Sequence, residues 1–417
     1  MPVYLLGTLD TKGREIGWIR DRFRTAGVAC TVVDAGCAGE PSCSPDITAD
    51  QVFAAGGTSL SDMRQRGDRG LAIRHAAAGV SGLVLEAHRQ GLVDGVLAVG
   101  GSAGTTIGTA AMRPLPLDVP KVMVSTMASG QTRPYVAGRN IFLLNSVVDI
   151  AGVNRISRTV LSQAVDAMVG MVKSSTGAIG QPKEDQPKED RPLIAATMFG
   201  VTTPCVMHAQ SLLEAAGYEV LVFHATGNGG EAMEGLIRDG LIAGVLDITT
   251  TELADELVGG TLSAGPDRLT AAADNGVPQV ISAGALDMVN FGPKSTVPEK
   301  FNGRTFYEHN ASVTLMRTTM DECQRLGEEI GRKATRSTGP VSILFPSLGV
   351  SAIDVDGQPF DNWAARMAIW AGLQSTCGSN VQLELLQHRI NDKEFAAAAA
   401  NRLLQMLHQK NSGLSES

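Results

Sequence analysis

Short runs of apolar residues, separated by polar stretches rich in glycine, set the pattern of the first part of this chain. Four runs predict strands, at Val3 to Leu6, Cys30 to Asp34, Val96 to Val99 and Lys121 to Ser125, and a helix is predicted from Arg14 to Ala26. The runs lack strict alternation of apolar and polar residues, which is typical of strands buried on both faces of a parallel sheet. The first part of the chain therefore indicates an α/β domain.

The second part repeats this pattern. Its strands are predicted at Leu193 to Met198, Val220 to His224, Gly244 to Ile248, Gln279 to Ser282, Val341 to Phe345 and Val381 to Leu386. Helices are predicted to begin near Pro204, Gly230 and Thr251. The two halves also contain similar sequence segments, since VPKVMVSTMA from Val119 resembles VPQVISAGA from Val277. We predict two Rossmann-like, doubly wound parallel-sheet α/β domains of related topology.

A polar segment separates the two halves. Residues 173–192 read KSSTGAIGQPKEDQPKEDRP and contain a tandem copy of QPKED. Such a segment has too few apolar residues to pack a core of its own. The sequence thus predicts an N-terminal domain at 1–172, a flexible linker at 173–192 and a C-terminal domain at 193–417.

Composition narrows the choice of partners. The 417 residues carry a net charge of -8, which argues against a nucleic-acid partner. The chain opens with Met1-Pro2 rather than with a signal peptide, and no apolar stretch approaches the length needed to cross a bilayer, so no membrane partner and a cytoplasmic location are expected. The six cysteines lack the paired spacing of a zinc site, and most are predicted to be reduced thiols, with Cys37 and Cys43 as weak ligand candidates.

The most distinctive stretch is DGVLAVGGSAGTTIGTAA, from Asp94 to Ala111. An apolar strand runs into a flexible turn and then into a helix, and the free N–H groups of a first helical turn suit phosphate. The candidate phosphate-binding residues are Gly100, Gly101, Ser102, Ala103, Gly104 and Thr105. The stretch is neither a Walker A loop nor a G-x-G-x-x-G motif. A tight structural turn is the alternative interpretation.

Three further loops follow the strands of the first domain, at Gly7 to Gly13, Gly56 to Gly70 and Ser125 to Thr132. In such sheets, ligands bind beyond the carboxyl ends of the strands. The candidate groups are the hydroxyls of Thr8 and Thr11, the cations of Lys12 and Arg69, and the carboxylate of Asp10 for ribose or Mg²⁺. Each charged residue is equally compatible with a solvated loop. Asp34 lies where a dinucleotide-binding fold places the acidic residue that binds the ribose. However, the glycine triplet that such a fold has after its first strand is missing, which argues against a nicotinamide cofactor.

The second domain places a different set of groups after its strands. His224, Asp247 and Asp287 are candidates for general acid and base catalysis on a small anionic substrate, and Cys205 is a weaker candidate nucleophile. The turn after His224 is rich in glycine and opens a helix, which predicts a second anion site. Core packing and helix capping remain the alternatives.

Several longer motifs carry a family resemblance. They are GTLDTKG at Gly7, VGGSAGTT at Val99, VSTMASGQT at Val124, NSVVDIAGVNRIS at Asn145, TMFGVTTPCV at Thr197, VFHATGNGGEAME at Val222, GVLDITTTELAD at Gly244 and GALDMVNFGPK at Gly284. Over nearly its whole length the chain resembles the tomato mosaic virus resistance (Tm-one-like) ATP-binding family.

The resemblance implies a Rossmann-like first domain that binds ATP, a related second domain, and self-association as a homodimer or larger homo-oligomer. The positions that match the family's nucleotide-binding stretches are Thr8, Asp10, Thr11, Arg69, Gly70 and Gly100 to Thr105. Ala103 departs from the family's usual glycine, and a positive φ at this position would oppose tight binding.

The resulting hypothesis is an ATP-binding protein, with Mg²⁺ as a further candidate, that acts as an enzyme on a small anionic substrate at a cleft of the second domain. One alternative is a nucleotide-gated binding or regulatory protein without turnover. Another is an ATP-independent hydrolase or lyase. The partners expected under the main hypothesis are a nucleotide and a small anionic substrate.

Overall fold

The computed structural model describes residues 1–175 and 191–414, and it divides into two compact units, Met1–Pro187 and Lys188–Ser417. Most of the predicted linker, 173–192, lies outside the described residues. Its first three residues form the end of a helix. Among the described residues, no helix is both long enough and apolar enough to cross a membrane.

The first unit is built on a five-stranded parallel sheet of order β2-β1-β3-β4-β5. Its strands are β1 Val3–Gly7, β2 Cys30–Asp34, β3 Gly95–Gly100, β4 Lys121–Ser125 and β5 Phe142–Asn145. Its helices are α1 Leu9–Thr25, α2 Ala49–Ala55, α3 Leu60–Arg66, α4 Arg69–Arg89, α5 Ser102–Met112, α6 Arg133–Val136 and α7 Arg155–Ser175.

Helices cover both faces of this sheet. Along β3, Val96 and Ala98 face one core, whereas Leu97 and Val99 face the other. Helices α2 to α5 supply apolar side chains to the first core, and α1 and α7 supply them to the second. Because both faces are buried, the strands are continuously apolar, as the sequence indicated.

The second unit contains a six-stranded parallel sheet of order β7-β6-β8-β9-β13-β14. These strands are β6 Leu193–Met198, β7 Glu219–His224, β8 Gly244–Thr249, β9 Gln279–Gly284, β13 Val341–Pro346 and β14 Val381–Leu386. When only the strands of this sheet are counted in chain order, the first five follow the same 2-1-3-4-5 order as the first unit. The prediction of two doubly wound domains of related topology is confirmed.

A small antiparallel sheet of order β10-β12-β11 accompanies the large one. Its strands are β10 Met288–Phe291, β11 Phe306–Asn310 and β12 Val313–Arg317. The helices of the unit are α8 Thr203–Ala215, α9 Asn228–Arg238, α10 Thr251–Val258, α11 Ala271–Asp274, α12 Met320–Thr335, α13 Trp363–Thr376 and α14 Lys393–Leu414. Helices α8 and α14 pack on one face of the large sheet, and α10, α12 and α13 share a separate core.

Two loop predictions in the first unit are wrong. The stretch Gly7 to Gly13 is not a loop, because α1 already begins at Leu9. The stretch Gly56 to Gly70 contains helix α3, which Ser59 caps by accepting a hydrogen bond from the N–H of Asp62. Glycine and hydroxyl residues indicated turns there, whereas the apolar pair Leu60 and Met63 anchors a helical turn in the core.

Candidate functional site

A cavity of about 550 Å³ opens in the first unit, lined by residues that follow β1, β2 and β3. Since β1 lies between β2 and β3, this is the point where the strand order reverses, which is the usual ligand site of an open α/β sheet. The lining residues are Thr8, Asp10, Thr11, Ala35, Cys37, Ala38, Phe53, Met63, Arg64, Gly67, Asp68, Arg69, Ala72, Ile73, Ala76, Ala103 and Ile107. The structure thus brings together Thr8, Asp10, Thr11, Arg69 and Ala103 of the predicted site.

The cavity has an apolar part and a polar part. Its apolar lining comes from α2, α3, α4 and α5, through Phe53, Met63, Ala72, Ile73, Ala76 and Ile107. Its polar lining includes the hydroxyls of Thr8 and Thr11, whose oxygens lie 2.7 Å apart. The Arg69 side chain also lines the cavity and has no ion pair or hydrogen bond with any described residue. Such a division suits a ligand with one apolar end and one anionic end.

Three helices begin at this cavity, and the first turns of two of them already hold a carboxylate of the chain itself. The Asp34 carboxylate accepts hydrogen bonds from the N–H groups of Leu9, at the start of α1, and Gly36, at 2.9 and 2.8 Å. Asp68 accepts one from the N–H of Leu71, at the start of α4. Burial raises the pKa of the Asp34 carboxyl, while the two N–H donors oppose that rise. Asp34 therefore fills the helix end where a dinucleotide fold would hold pyrophosphate.

Helix α5 differs from the other two. Its N-cap residue, Gly101, has no side chain, and its first turn contains no acidic residue. Within residues 1–175 and 191–414, no side chain accepts a hydrogen bond from the N–H groups of Ser102, Ala103 or Gly104. The eleven-residue helix thus presents uncompensated N–H groups and the positive end of its dipole. Ala103 has an ordinary helical backbone rather than a positive φ, so its Cβ introduces no strain.

The glycines of this turn serve packing more than ligand approach. A Cβ on Gly100 would lie 2.6 Å from the Cα of Gly104, and a Cβ on Gly104 would lie 3.3 Å from the carbonyl oxygen of Val99. Gly100 and Gly104 therefore let α5 start directly against β3. Thr105 is also used internally, since its hydroxyl lies 2.6 Å from that of Ser125 and 2.8 Å from the carbonyl oxygen of Gly101.

The remaining predicted residues of the first unit lie in several places. Ser102 is exposed at the first position of α5, and Gly70 lies in the first turn of α4, outside the cavity lining. Lys12 does not line the cavity, because its ammonium donates to the carbonyl oxygen of Ile150. Arg69 is therefore the better placed of the two predicted cations.

Asp10 and Arg64 fix the loop that follows β2. One Asp10 oxygen accepts hydrogen bonds from the N–H groups of Ala38 and Gly39, and the other is buried without a partner among the described residues. From the other side, Arg64 donates to the carbonyl oxygens of Cys37 and Gly39. The sequence alone did not identify Arg64, because only the fold brings α3 beside this loop.

In the second unit, the predicted anion site after His224 is already filled. The Glu252 carboxylate accepts hydrogen bonds from the N–H groups of Gly227 and Gly230, at 2.7 and 3.1 Å, where α9 begins. A side chain on Gly230 would collide with this carboxylate, which explains the glycine-rich sequence of the turn. The glycines thus accommodate an internal anion.

Arg268 connects this carboxylate to Asp247. Its Nε donates to Glu252 at 2.7 Å, and its two terminal nitrogens donate to the Asp247 oxygens at 2.6 and 2.7 Å. Asp247 also accepts a hydrogen bond from the hydroxyl of Thr197 at 2.7 Å. Burial raises the pKa of Glu252, whereas Arg268 opposes that rise. The Asp247 carboxylate is thus held within the packed interior of the sheet.

Asp287 lies in a separate buried cluster. One of its oxygens accepts a hydrogen bond from the hydroxyl of Ser351 at 2.8 Å, and the other is buried without a partner among the described residues. Nearby, Arg317 and Arg366 both contact Asp354 at 3.1 Å. Burial, with a smaller contribution from the Asp354 charge, raises the pKa of Asp287 to about 7.

His224 is the one exposed member of the predicted catalytic trio, at the end of the edge strand β7. Its ring centroid lies 5.5 Å from that of Phe199, edge to face. No hydrogen bond or ion pair between described residues joins the side chains of His224, Asp247 and Asp287. Cys205 is fully buried, and burial raises its thiol pKa to about 12, which is unfavourable for a nucleophile.

The residues around the first-unit cavity fit a nucleotide. The open end of α5, together with Arg69, would hold phosphate groups, and the apolar side of the cavity would take a base. The unpartnered oxygen of Asp10 is the carboxylate oxygen at this cavity that would coordinate a cation or accept a hydrogen bond from a ribose hydroxyl.

Comparison with known proteins agrees with the division of the structure into two units. Residues 1–177 match the N-terminal domain of the Uncharacterised protein family (UPF0261), and residues 191–407 match its C-terminal domain. The chain belongs to this family. A UPF0261 protein of Clostridium tetani is 48% identical, with 98% of this chain and 99% of that protein covered. One of Mesorhizobium japonicum is 44% identical, with 95% of this chain and 97% of that protein covered.

The UPF0261 family also includes plant proteins. The ToMV resistance protein Tm-1(GCR237) of Solanum lycopersicum is 39% identical, with 97% of this chain covered. The alignment covers 55% of the tomato protein, so this chain spans about half of its length. The resemblance drawn from the sequence motifs is therefore confirmed at the level of the family.

Proposed function

We propose that the first unit binds ATP, with its phosphate groups at the start of α5 and its base in the apolar part of the cavity. One observation carries this proposal. Of the three helices that begin at the cavity, α1 and α4 are satisfied by Asp34 and Asp68, whereas α5 has no acid at its first turn. A helix end with free N–H groups, at a cavity that the unpaired Arg69 also lines, favours a polyanion.

The test is a calorimetric titration with ATP, AMP and adenosine on wild type and on two variants of Ala103. Ala103→Asp adds a carboxylate to the first turn of α5, where it would take the place of a phosphate. We expect ATP affinity to fall by about tenfold or more, while the melting temperature is unchanged or higher. Ala103→Asn is the matched control, since its amide has the size of the carboxylate but carries no charge.

The outcomes separate the possible errors. Equal affinity of wild type for ATP and adenosine would place the phosphates outside the α5 turn. If Ala103→Asp bound ATP as tightly as wild type does, the phosphates would likewise lie outside the α5 turn. A wild type that binds none of the three ligands would refute nucleotide binding altogether.

We further propose turnover of a small anionic substrate in the second unit, with His224 as the proton-transfer group. The support is its exposure at the carboxyl end of β7, while Asp247 and Asp287 are held in buried networks. Steady conversion of ATP in the presence of candidate carboxylate or sugar-acid substrates would establish an ATP-dependent enzyme. Saturable ATP binding without product would favour a regulatory binding protein, and turnover that survives Ala103→Asp would favour an ATP-independent hydrolase or lyase.

Mg²⁺, self-association and a cytoplasmic location belong to the same proposal. ATP titrations with and without Mg²⁺, in wild type and in Asp10→Asn, test the cation. Light scattering after size exclusion tests the expected homodimer or larger homo-oligomer. Cell fractionation tests the location.

A further inference from the structure

Part of the lining of the proposed ATP cavity comes from a short segment with a left-handed glycine at each end. Residues 57–67, here called the lid segment, begin at Gly57 with φ of 79° and end at Gly67 with φ of 65°. Helix α3 lies between them and contributes Met63 and Arg64 to the cavity lining. Glycine occupies this region of φ without strain, so both ends can change direction at low cost.

The lid segment is weakly attached to the rest of the unit. Leu60 and Met63 are its only buried side chains, and the other residues of α3 are exposed. The backbone of the lid segment is joined to α2 at its start, where the N–H groups of Gly57 and Thr58 donate to Ala54 and Phe53. Among the described residues, no backbone hydrogen bond joins 59–67 to another helix or strand. Local opening is favoured where buried apolar contacts and backbone hydrogen bonds are few.

Arg64 supplies the polar attachment. Its Nε donates to the carbonyl oxygen of Cys37 at 3.0 Å, and its Nη2 donates to that of Gly39 at 2.7 Å. A third, exposed contact joins Nη1 to Glu40 at 3.3 Å. Because Asp10 holds the same loop from its N–H side, Arg64 ties the lid segment to a fixed edge of the cavity.

We propose that the lid segment opens and closes over the nucleotide, with Arg64 as the latch that keeps it closed. This inference rests on the proposed ATP site and adds a gating residue to it. Arg64 is a positioning residue, since its guanidinium is engaged by the loop carbonyls. Its loss should therefore alter the rates of binding more than it alters the structure of the cavity.

The first measurement is amide hydrogen exchange without nucleotide, on wild type, Arg64→Met and Arg66→Met. Arg66 lies on the same helix, is exposed and has no ion pair or hydrogen bond with a described residue, which makes it the matched control. In Arg64→Met we expect amides 59–67 to exchange about tenfold faster, while those of α4 stay unchanged. Unchanged exchange at 59–67, or faster exchange throughout the unit, would overturn the latch.

The second measurement is stopped-flow binding of a fluorescent ATP analogue to the same proteins. A latch holds the cavity closed both before and after binding, so Arg64→Met should speed association and release alike, with release about tenfold faster. Faster release without faster association would mean that Arg64 contacts the ligand directly, which contradicts the gate. A wild type that binds no ATP would refute the proposed site and the gate with it, whereas the exchange measurement judges the latch by itself.

Discussion

The guanidinium of Arg268 grips both oxygens of the Asp247 carboxylate, at 2.6 and 2.7 Å, and both side chains are at most 1% exposed. In Asp247→Asn, Arg268 keeps its ion pair with Glu252 but loses the carboxylate that faces its two terminal nitrogens, and disrupting a buried ion pair is destabilising. We expect Asp247→Asn to lower the free energy of unfolding of the second unit by about 3 kcal/mol, measured by urea denaturation. Asp356→Asn, in an exposed turn, is the control and should stay within about 0.5 kcal/mol of wild type. If Asp247→Asn were as stable as Asp356→Asn, the Asp247 carboxylate would not be needed for the stability of the second unit.

Gly100 and Gly101 are neighbours with opposite steric surroundings. A Cβ on Gly100 would lie 2.6 Å from Gly104, whereas the nearest atom to a Cβ on Gly101 is the Thr126 hydroxyl at 3.7 Å. Gly100→Ala should therefore cost about 1–3 kcal/mol of stability, and Gly101→Ala less than about 1 kcal/mol. Thermal unfolding monitored by circular dichroism compares them. If Gly100→Ala were as stable as wild type, the close start of α5 against β3 would not depend on glycine.

The buried Asp255 should make stability fall with rising pH. It accepts hydrogen bonds from the N–H groups of Leu262 and Asn290 and from the Asn290 side chain. Burial raises its pKa from 3.8 to about 7. The folded protein therefore keeps a proton that the unfolded chain has lost, so this stabilisation is complete below pH 4 and is lost as the pH rises through about 7.

Asp255→Asn removes that titration. The free energy of unfolding should decrease between pH 4 and pH 8 in both proteins. The decrease should be smaller in Asp255→Asn than in wild type, by on the order of 2 kcal/mol. Asp287, whose pKa is also raised, adds a second fall of the same sign that both proteins share. Urea titrations at several pH values measure the difference, and parallel curves would contradict the raised pKa of Asp255.

Cys37 reports on the cavity directly, because it lines the wall that a nucleotide would cover. At pH 9, saturating ATP should slow its alkylation by about tenfold, as followed by mass spectrometry of the labelled peptide. Cys377, half-buried in the second unit with a pKa raised to about 11 by burial, is the internal control and should label at the same rate with or without ATP. Equal labelling of Cys37 in both conditions would place ATP elsewhere.

His224 should tolerate substitution. Since it is exposed and its side chain contacts Phe199 only through a ring edge, His224→Asn should change the free energy of unfolding by less than about 1 kcal/mol. A loss of several kcal/mol in urea denaturation would make His224 a packing residue and remove it from the catalytic candidates.

The sequence predicted the large sheets well because their strands are continuous apolar runs. The strands at Cys30–Asp34, Lys121–Ser125, Leu193–Met198 and Val381–Leu386 have the predicted bounds. The small antiparallel sheet was not predicted. Its strand Phe306–Asn310 is largely exposed and polar, so its sequence carries little of the signal that burial imposes.

The site was predicted in part for a related reason. Residue type and position after a strand indicated Thr8, Asp10, Thr11 and Ala103, and the structure places them at one cavity together with the predicted Arg69, which begins α4. They did not show that Asp34 satisfies α1, or that Glu252 fills the turn after His224, because these contacts join residues 25 apart in the chain. The ends of α1 and α9 are thus closed by partners distant in the chain, whereas the Asp68 cap of α4 and the bare Gly101 cap of α5 are local.

The carboxylate of Glu252 at the start of α9 also bears on how such a fold changes over evolutionary time. An acidic side chain within reach of a helix end takes the position that an anionic ligand would otherwise occupy. The two units share one strand order, yet Glu252 occupies the start of α9 whereas the first turn of α5 holds no acid, so domains of one topology can differ in which helix ends are open to an anion.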